Sequence, residues 1–188
     1  MINASASGDA IWVAAGTYLP SQDPFGNTAP TDSRDKTFYL KDGVKIYGGF
    51  AGNEDPAVFN LNDRDFITNN TFLSGNIGTR GDSIDNCYHV VLSVNDGAGT
   101  ELDGLRITGG YAWNGVYITV EGYSIYQYWG GVMLNHHSSP LLKNCDLYGN
   151  SAYYGGGLSN FYYSSSTEIY GCRFYANSAE HGGGMWNY

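Results

Sequence analysis

GGVMLNHHSSPLLKNCDLYGNSAYYGGGLSNFYYSSSTEIYGCRFYANSAEHGGGMWNY, residues 130–188, is one pattern written twice and begun a third time. The phrase Gly-Gly-x-apolar-x-Asn ends at Asn135, Asn160 and Asn187. Between its copies stands a second phrase, Cys145–Ala152, answered by Cys172–Ala179. A period of about 25 residues is the range of solenoids and propellers. Within each phrase the alternation is period two: Cys145 and Leu147 against Asp146, then Cys172 and Phe174 against Arg173. That pattern describes short strands with one buried face, and no 3.6-residue helical period competes with it.

The columns continue towards the N-terminus. Val44, Leu105, Cys145 and Cys172 align as one apolar column, and Ile46, Ile107, Leu147 and Phe174 as the next. Between them lie Lys45, Arg106, Asp146 and Arg173, and after them Tyr47, Thr108, Tyr148 and Tyr175. Met133, Leu158 and Met185 form another apolar column, and Leu102, Leu142 and Ile169 mark a third strand per unit. Length differences fall in turns, chiefly Phe161–Ser166 against His136–Ser139, as a solenoid allows. The expected fold is all-β: a right-handed parallel β-helix solenoid with three short strands per coil of about 25 residues, rungs about 4.8 Å apart. Asn135, Asn160 and Asn187, with Asn150 and Asn177, are expected to stack as amide ladders that satisfy buried turn backbone.

GDAIWVAAGTYLP, YLKDGVKIYGGFAGNE, FLSGNIG, YHVVLS, LDGLRITGGYA, GGGLSN and CRFYANSA together resemble secreted bacterial right-handed parallel β-helix repeat proteins of the pectin-lyase-like fold. The Gly-Gly-apolar-x-Asn unit is also similar to polymorphic outer-membrane protein repeats. The resemblance covers nearly the whole chain and implies an extracellular or outer cell-surface protein. It also implies a capping helix and signal peptide ahead of the first strand, and further coils after the last. Residues 1–188 are therefore expected to be one β-helix domain, a fragment without N-terminal cap, signal peptide or C-terminal coils.

Bulk properties narrow the function. The 188 residues include 27 glycines and 17 tyrosines, which speak for many turns and a packed chain. A net charge of −9 argues against nucleic acid or an anionic membrane as partner. There is no apolar run long enough to span a membrane. The three cysteines, Cys87, Cys145 and Cys172, make no dense disulfide framework. Cys145 and Cys172 face inward on adjacent rungs and read as apolar fillers, with a disulfide between them as the alternative. No nucleophile elbow, zincin, Walker or dinucleotide motif is present.

Two features break or decorate the repeat and are the candidate binding elements. One is the outward file Lys45, Arg106, Asp146 and Arg173 with Tyr148 and Tyr175. It reads either as a salt-bridge ladder or as a groove for acidic polysaccharide, with guanidinium groups for carboxylates and tyrosine faces for sugar rings. The other is the Trp113–Trp129 insertion, with Trp113, Tyr126 and Trp129, which reads as an exposed aromatic cluster or as a hairpin packed on the coil. Asp42 and Asp103 occupy matching positions. Paired carboxylates can hydrolyse glycosides, but each precedes glycine and suits turn chemistry better. Glu54, Asp55, Asp63 and Asp65 make an acidic loop where Ca²⁺ could sit, although no EF-hand or nonapeptide spacing is present. No cofactor is expected, and His136-His137 is read as a turn without a third metal ligand. The leading expectation is a non-enzymatic, adhesin-like surface scaffold that binds glycans or other surfaces. The alternative is a polysaccharide lyase or glycoside hydrolase acting on acidic polysaccharide. An ice-binding solenoid would need flat threonine arrays, which are absent.

Overall fold

A computed structural model describes residues 2–162 and 165–188. Three five-stranded parallel sheets wind around one core. Sheet A stacks Ala10–Ala14, Lys45–Phe50, Glu101–Asp103, Leu141–Lys143 and Glu168–Tyr170. Sheet B stacks Gly16–Tyr18, Thr71–Ser74, Arg106–Thr108, Asp146–Tyr148 and Arg173–Tyr175. Sheet C stacks Phe38–Tyr39, Val91–Val94, Met133–His136, Leu158–Phe161 and Met185–Asn187. The three strands per coil are those expected. A fourth, three-stranded ladder, sheet D, joins Tyr111–Ala112, Ser151–Tyr154 and Ser178–His181.

The core is built from one inward column per sheet. Ile11, Ile46, Leu102, Leu142 and Ile169 are register partners in sheet A. Tyr18, Leu73, Ile107, Leu147 and Phe174 do the same in sheet B, and Phe38, Val91, Met133, Leu158 and Met185 in sheet C. Because the side-chain period is two, a one-residue slip would turn a whole column outward, so the aliphatic stacks fix the register. Amide ladders close the corners as expected. Asn135 Nδ2 donates to Asn160 Oδ1 at 3.0 Å, and Asn160 Nδ2 to Asn187 Oδ1 at 2.8 Å. Asn150 Nδ2 donates to Asn177 Oδ1 at 3.0 Å, and Asn150 Oδ1 accepts Gly110 N–H at 2.8 Å.

The first coil departs from the expected alignment. Lys45 pairs with Glu101 and Tyr47 with Asp103, so both stand in sheet A and outside the Arg106 file. The sheet B partner of Arg106 is Phe72. The chain leaves sheet A at Phe50, runs through the loop at 51–70 and returns as Thr71–Ser74. An Asp-Gly turn sits at two different corners, Asp42-Gly43 before sheet A and Asp103-Gly104 after it. The repeated phrase therefore does not say which corner it marks. Asp42 and Asp103 are accordingly not a carboxylate pair. Asp42 Oδ1 caps Gly97 N–H at 2.7 Å, and Asp103 meets Arg64.

The Trp113–Trp129 insertion forms an antiparallel hairpin, Tyr117–Val120 with Tyr123–Tyr126. It lies over the outer face of sheet C, where Val120, Ile125 and Trp129 pack with Leu92, Leu134 and Phe161 in a second apolar cluster. This explains Leu134, an outward position that is apolar and buried. His136 ends the sheet C strand and is buried, ring to ring with Phe161 at 5.2 Å, and is not in a turn. The longer turn expected over Phe161–Ser166 includes residues 163 and 164, which lie outside the described residues. Among the described residues no helix is long and apolar enough to cross a membrane.

Candidate functional site

The outer face of sheet B carries the charged file. Phe72, Arg106, Asp146 and Arg173 stand side by side on successive rungs. Their alternation with the inward column turns all four outward. Arg173 grips Asp146 with two hydrogen bonds, Nε to Oδ1 at 2.7 Å and Nη2 to Oδ2 at 2.6 Å. Arg106 Nε lies 3.8 Å from Asp146 Oδ2 on the other side, its guanidinium 5.5 Å from the Phe72 ring. The Asp146 side chain is 11% exposed and that of Arg173 69%. In register with Thr108 on the next two coils, Tyr148 and Tyr175 stack with ring centres 4.9 Å apart and planes 2° apart. Their rung spacing sets that distance, so the pair is a fixed aromatic surface.

The loop at 51–70 builds a wall beside this file. Phe66 and Ile67 face Arg106, Asp146, Arg173 and Asn144 across an open cleft of about 220 Å³. The wall is held by a contact that sequence reading missed. Arg64 Nη2 binds Asp103 Oδ2 at 2.7 Å, with both side chains buried at 7% and 8% exposure. The guanidinium also lies over the rings of Tyr47 and Phe66, at 5.1 and 5.0 Å. Asn144 Nδ2 donates to the other oxygen of Asp103 at 2.8 Å. No local motif marks Arg64, which is in a loop far from Asp103 in sequence.

Lys45 and Glu101 face outward on sheet A. Glu101 is approached by Lys45 at 3.7 Å and Lys143 at 3.1 Å, and accepts from Tyr47 Oη at 3.2 Å. Every carboxylate on these two faces that has a described ion pair is thus shared between cations or amides: Asp146, Asp103 and Glu101.

The aromatic insertion divides. Trp129 is 6% exposed and packs between Tyr154 and Phe161, with ring centres at 4.7 and 4.5 Å, so its face is not open to a ligand. Tyr154 in turn stacks on His181 at 4.9 Å. Tyr126 is half-buried against Tyr128 and Phe161. Trp113 alone of the three candidates stays open. Its indole Nε1 donates to Ser151 Oγ at 2.8 Å, and its ring meets Tyr111 and Tyr153. Burial of the apolar hairpin face explains the difference, since the rings that cover Leu134 cannot also face solvent.

The acidic loop uses its carboxylates locally. Glu54 accepts Ala51 and Gly52 N–H, Asp55 accepts Ala57 N–H, and Asp65 accepts Ile67 and Thr68 N–H. Among the described residues no three His, Cys, Asp or Glu side chains come together as a metal site.

A polar clasp ties the insertions together. Arg34 stacks on Tyr88 at 3.9 Å and donates to Asn86 O and Tyr111 O. Asp35 accepts from Gln127 of the hairpin, and Asn114 bridges Gln127 and Tyr88. Burial, aided by Asp32 and Asp23 and opposed by the Gln127 bond, pushes Asp35 up to about 6. Burial also pushes Asp96 up to about 6, although Ser93 Oγ donates to it at 2.6 Å. Both carboxyls hold their protons more tightly when folded than at the ordinary 3.8. Their contribution to stability is therefore full below pH 3.8 and is lost as pH rises through about 6. Asp35→Asn and Asp96→Asn should raise the denaturation midpoint near neutral pH and leave it unchanged in acid. A midpoint difference that is independent of pH would contradict this.

Parallel sheets stacked in register around an aliphatic core define a β-helix. The family described as Right handed beta helix region matches residues 56–186, and the chain belongs to it. No curated protein and no solved structure matches the chain.

Proposed function

We propose that this β-helix is an extracellular or cell-surface scaffold, adhesin-like, whose sheet B face binds acidic glycan. The observation that carries this reading is the open cleft in which Arg106 and Arg173 bracket Asp146 beside the stacked Tyr148–Tyr175 pair. A guanidinium has five N–H donors. Arg173 commits one from Nε and one from Nη2 to Asp146, and its exposed Nη1 edge remains for a sugar carboxylate. The tyrosine pair supplies an apolar surface for a pyranose ring, and Trp113 a further one on the neighbouring sheet.

The lyase or hydrolase alternative has less support. Acid–base work on a glycoside needs carboxylates free to take and give a proton, about 5–10 Å apart across the bond. Asp146, Asp103 and Glu101 each have their oxygens occupied by cations or an amide. The test is a titration with polygalacturonate. Binding should be saturable, weaken with added salt, and fall by about tenfold or more in Arg173→Ala, the loss of a charge-assisted contact. Because Arg173→Ala also removes two hydrogen bonds from the largely buried Asp146, it should lower the denaturation midpoint, and binding is compared well below the variant's own transition. Equal binding by Arg173→Ala and the parent protein would remove the sheet B face from the reading.

A further inference from the structure

Cys145 and Cys172 occupy adjacent rungs just ahead of the paired residues Asp146 and Arg173. Arg173 N–H donates to Cys145 O at 2.9 Å, and Cys145 N–H to Cys172 Sγ at 3.4 Å. The rung spacing of about 4.8 Å lies inside the range of about 4.4–6.8 Å that a disulfide needs between Cα atoms. Both cysteines are free thiols, Cys145 fully buried and Cys172 half-buried. The third cysteine, Cys87, is buried elsewhere in the coil and is also free.

We propose that Cys145 and Cys172 are an oxidative modification site, closing to a disulfide that staples neighbouring coils when the protein meets a low-molecular-weight disulfide. The inference is independent of glycan binding. Hydrogen bonding from Cys145 holds the Cys172 thiol below the ordinary range against the opposing effect of burial. Burial and the same hydrogen bond hold Cys145 well above it. Cys172 is therefore the attacking sulfur, since the thiolate is the nucleophile.

With glutathione disulfide, the Cys172 thiolate attacks one sulfur, a Cys172–glutathione bond forms, and one glutathione thiolate leaves. Cys145 then attacks the Cys172 sulfur, the Cys145–Cys172 bond forms, and the second glutathione leaves. The protein loses two electrons and the two thiol protons. Glutathione disulfide gains both electrons, and two glutathione thiols result. Cys87 stays reduced, because burial pushes its thiol up to about 12.

The experiment is incubation of the folded protein with glutathione disulfide, then thiol counting after unfolding, intact mass and peptide mapping. The expected result is a fall from three thiols to one, loss of two hydrogens in mass, and a Cys145–Cys172 linked peptide. Cys172→Ser and Cys145→Ser should each abolish the linkage, while Cys87→Ser should leave it intact. Unchanged thiols, a persistent Cys172–glutathione adduct, a disulfide-linked dimer or any pairing through Cys87 would overturn the proposal.

Discussion

Arg64→Ala destabilises the protein by about 3–5 kcal/mol, the usual cost of leaving one partner of a buried ion pair without the other. Asp103 would keep its Asn144 hydrogen bond but lose the 2.7 Å contact that neutralises it. The guanidinium also fills the space over Tyr47 and Phe66, so its truncation removes packing as well as charge. The effect should appear as a lower denaturant midpoint. Adding Asp103→Asn to Arg64→Ala should recover part of the loss, because the buried charge then disappears. A wild-type midpoint for Arg64→Ala would mean that the loop at 51–70 is not anchored through this pair. The cleft beside sheet B would then lack a fixed wall.

The second large effect is at Gly131. The two glycines of the repeated Gly-Gly phrase serve different ends. Gly130, Gly155 and Gly182 have φ of 60°, 64° and 64°, which L side chains rarely adopt. Gly131 has no such φ, but a Cβ there would lie 2.8 Å from the carbonyl oxygens of both Gly156 and Ser151. Those oxygens belong to the next coil's backbone and cannot rotate away, so Gly131→Ala must push two rungs apart. The expected cost is about 2–3 kcal/mol, the range for an overpacked core. Gly115→Ala is the control, since nothing lies within 4 Å of its Cβ, and it should melt like the parent. A neutral Gly131→Ala would contradict the stacking of the coils at this corner.

These residues also show what the sequence could disclose. The Met133, Leu158 and Met185 column and the Leu147 and Phe174 column were legible because their period is set by the coil itself. So were the asparagine ladders, which recur at corners where backbone groups need partners. Lys45 was misplaced by one sheet because Asp-Gly turns serve two corners alike, and only the Phe50–Thr71 excursion distinguishes them. Sheet D was hidden because Tyr111–Ala112 and Ser151–Tyr154 lack an aliphatic alternation. The charged file was legible from Arg106 onward as a pattern of alternating charge. Its wall was not, because Arg64 meets Asp103 only through folding. Trp129 and Trp113 look equivalent as sequence. They differ because one lies under the hairpin and the other beyond its edge.

The most direct test of the account is calorimetric titration of the parent protein with an oligogalacturonate, with the ligand recovered and analysed afterwards. A binding scaffold on the Arg106–Asp146–Arg173 file predicts saturable, salt-sensitive heat and a ligand recovered intact. Progressive formation of shortened or unsaturated oligosaccharide, or the absence of any saturable heat, would contradict it.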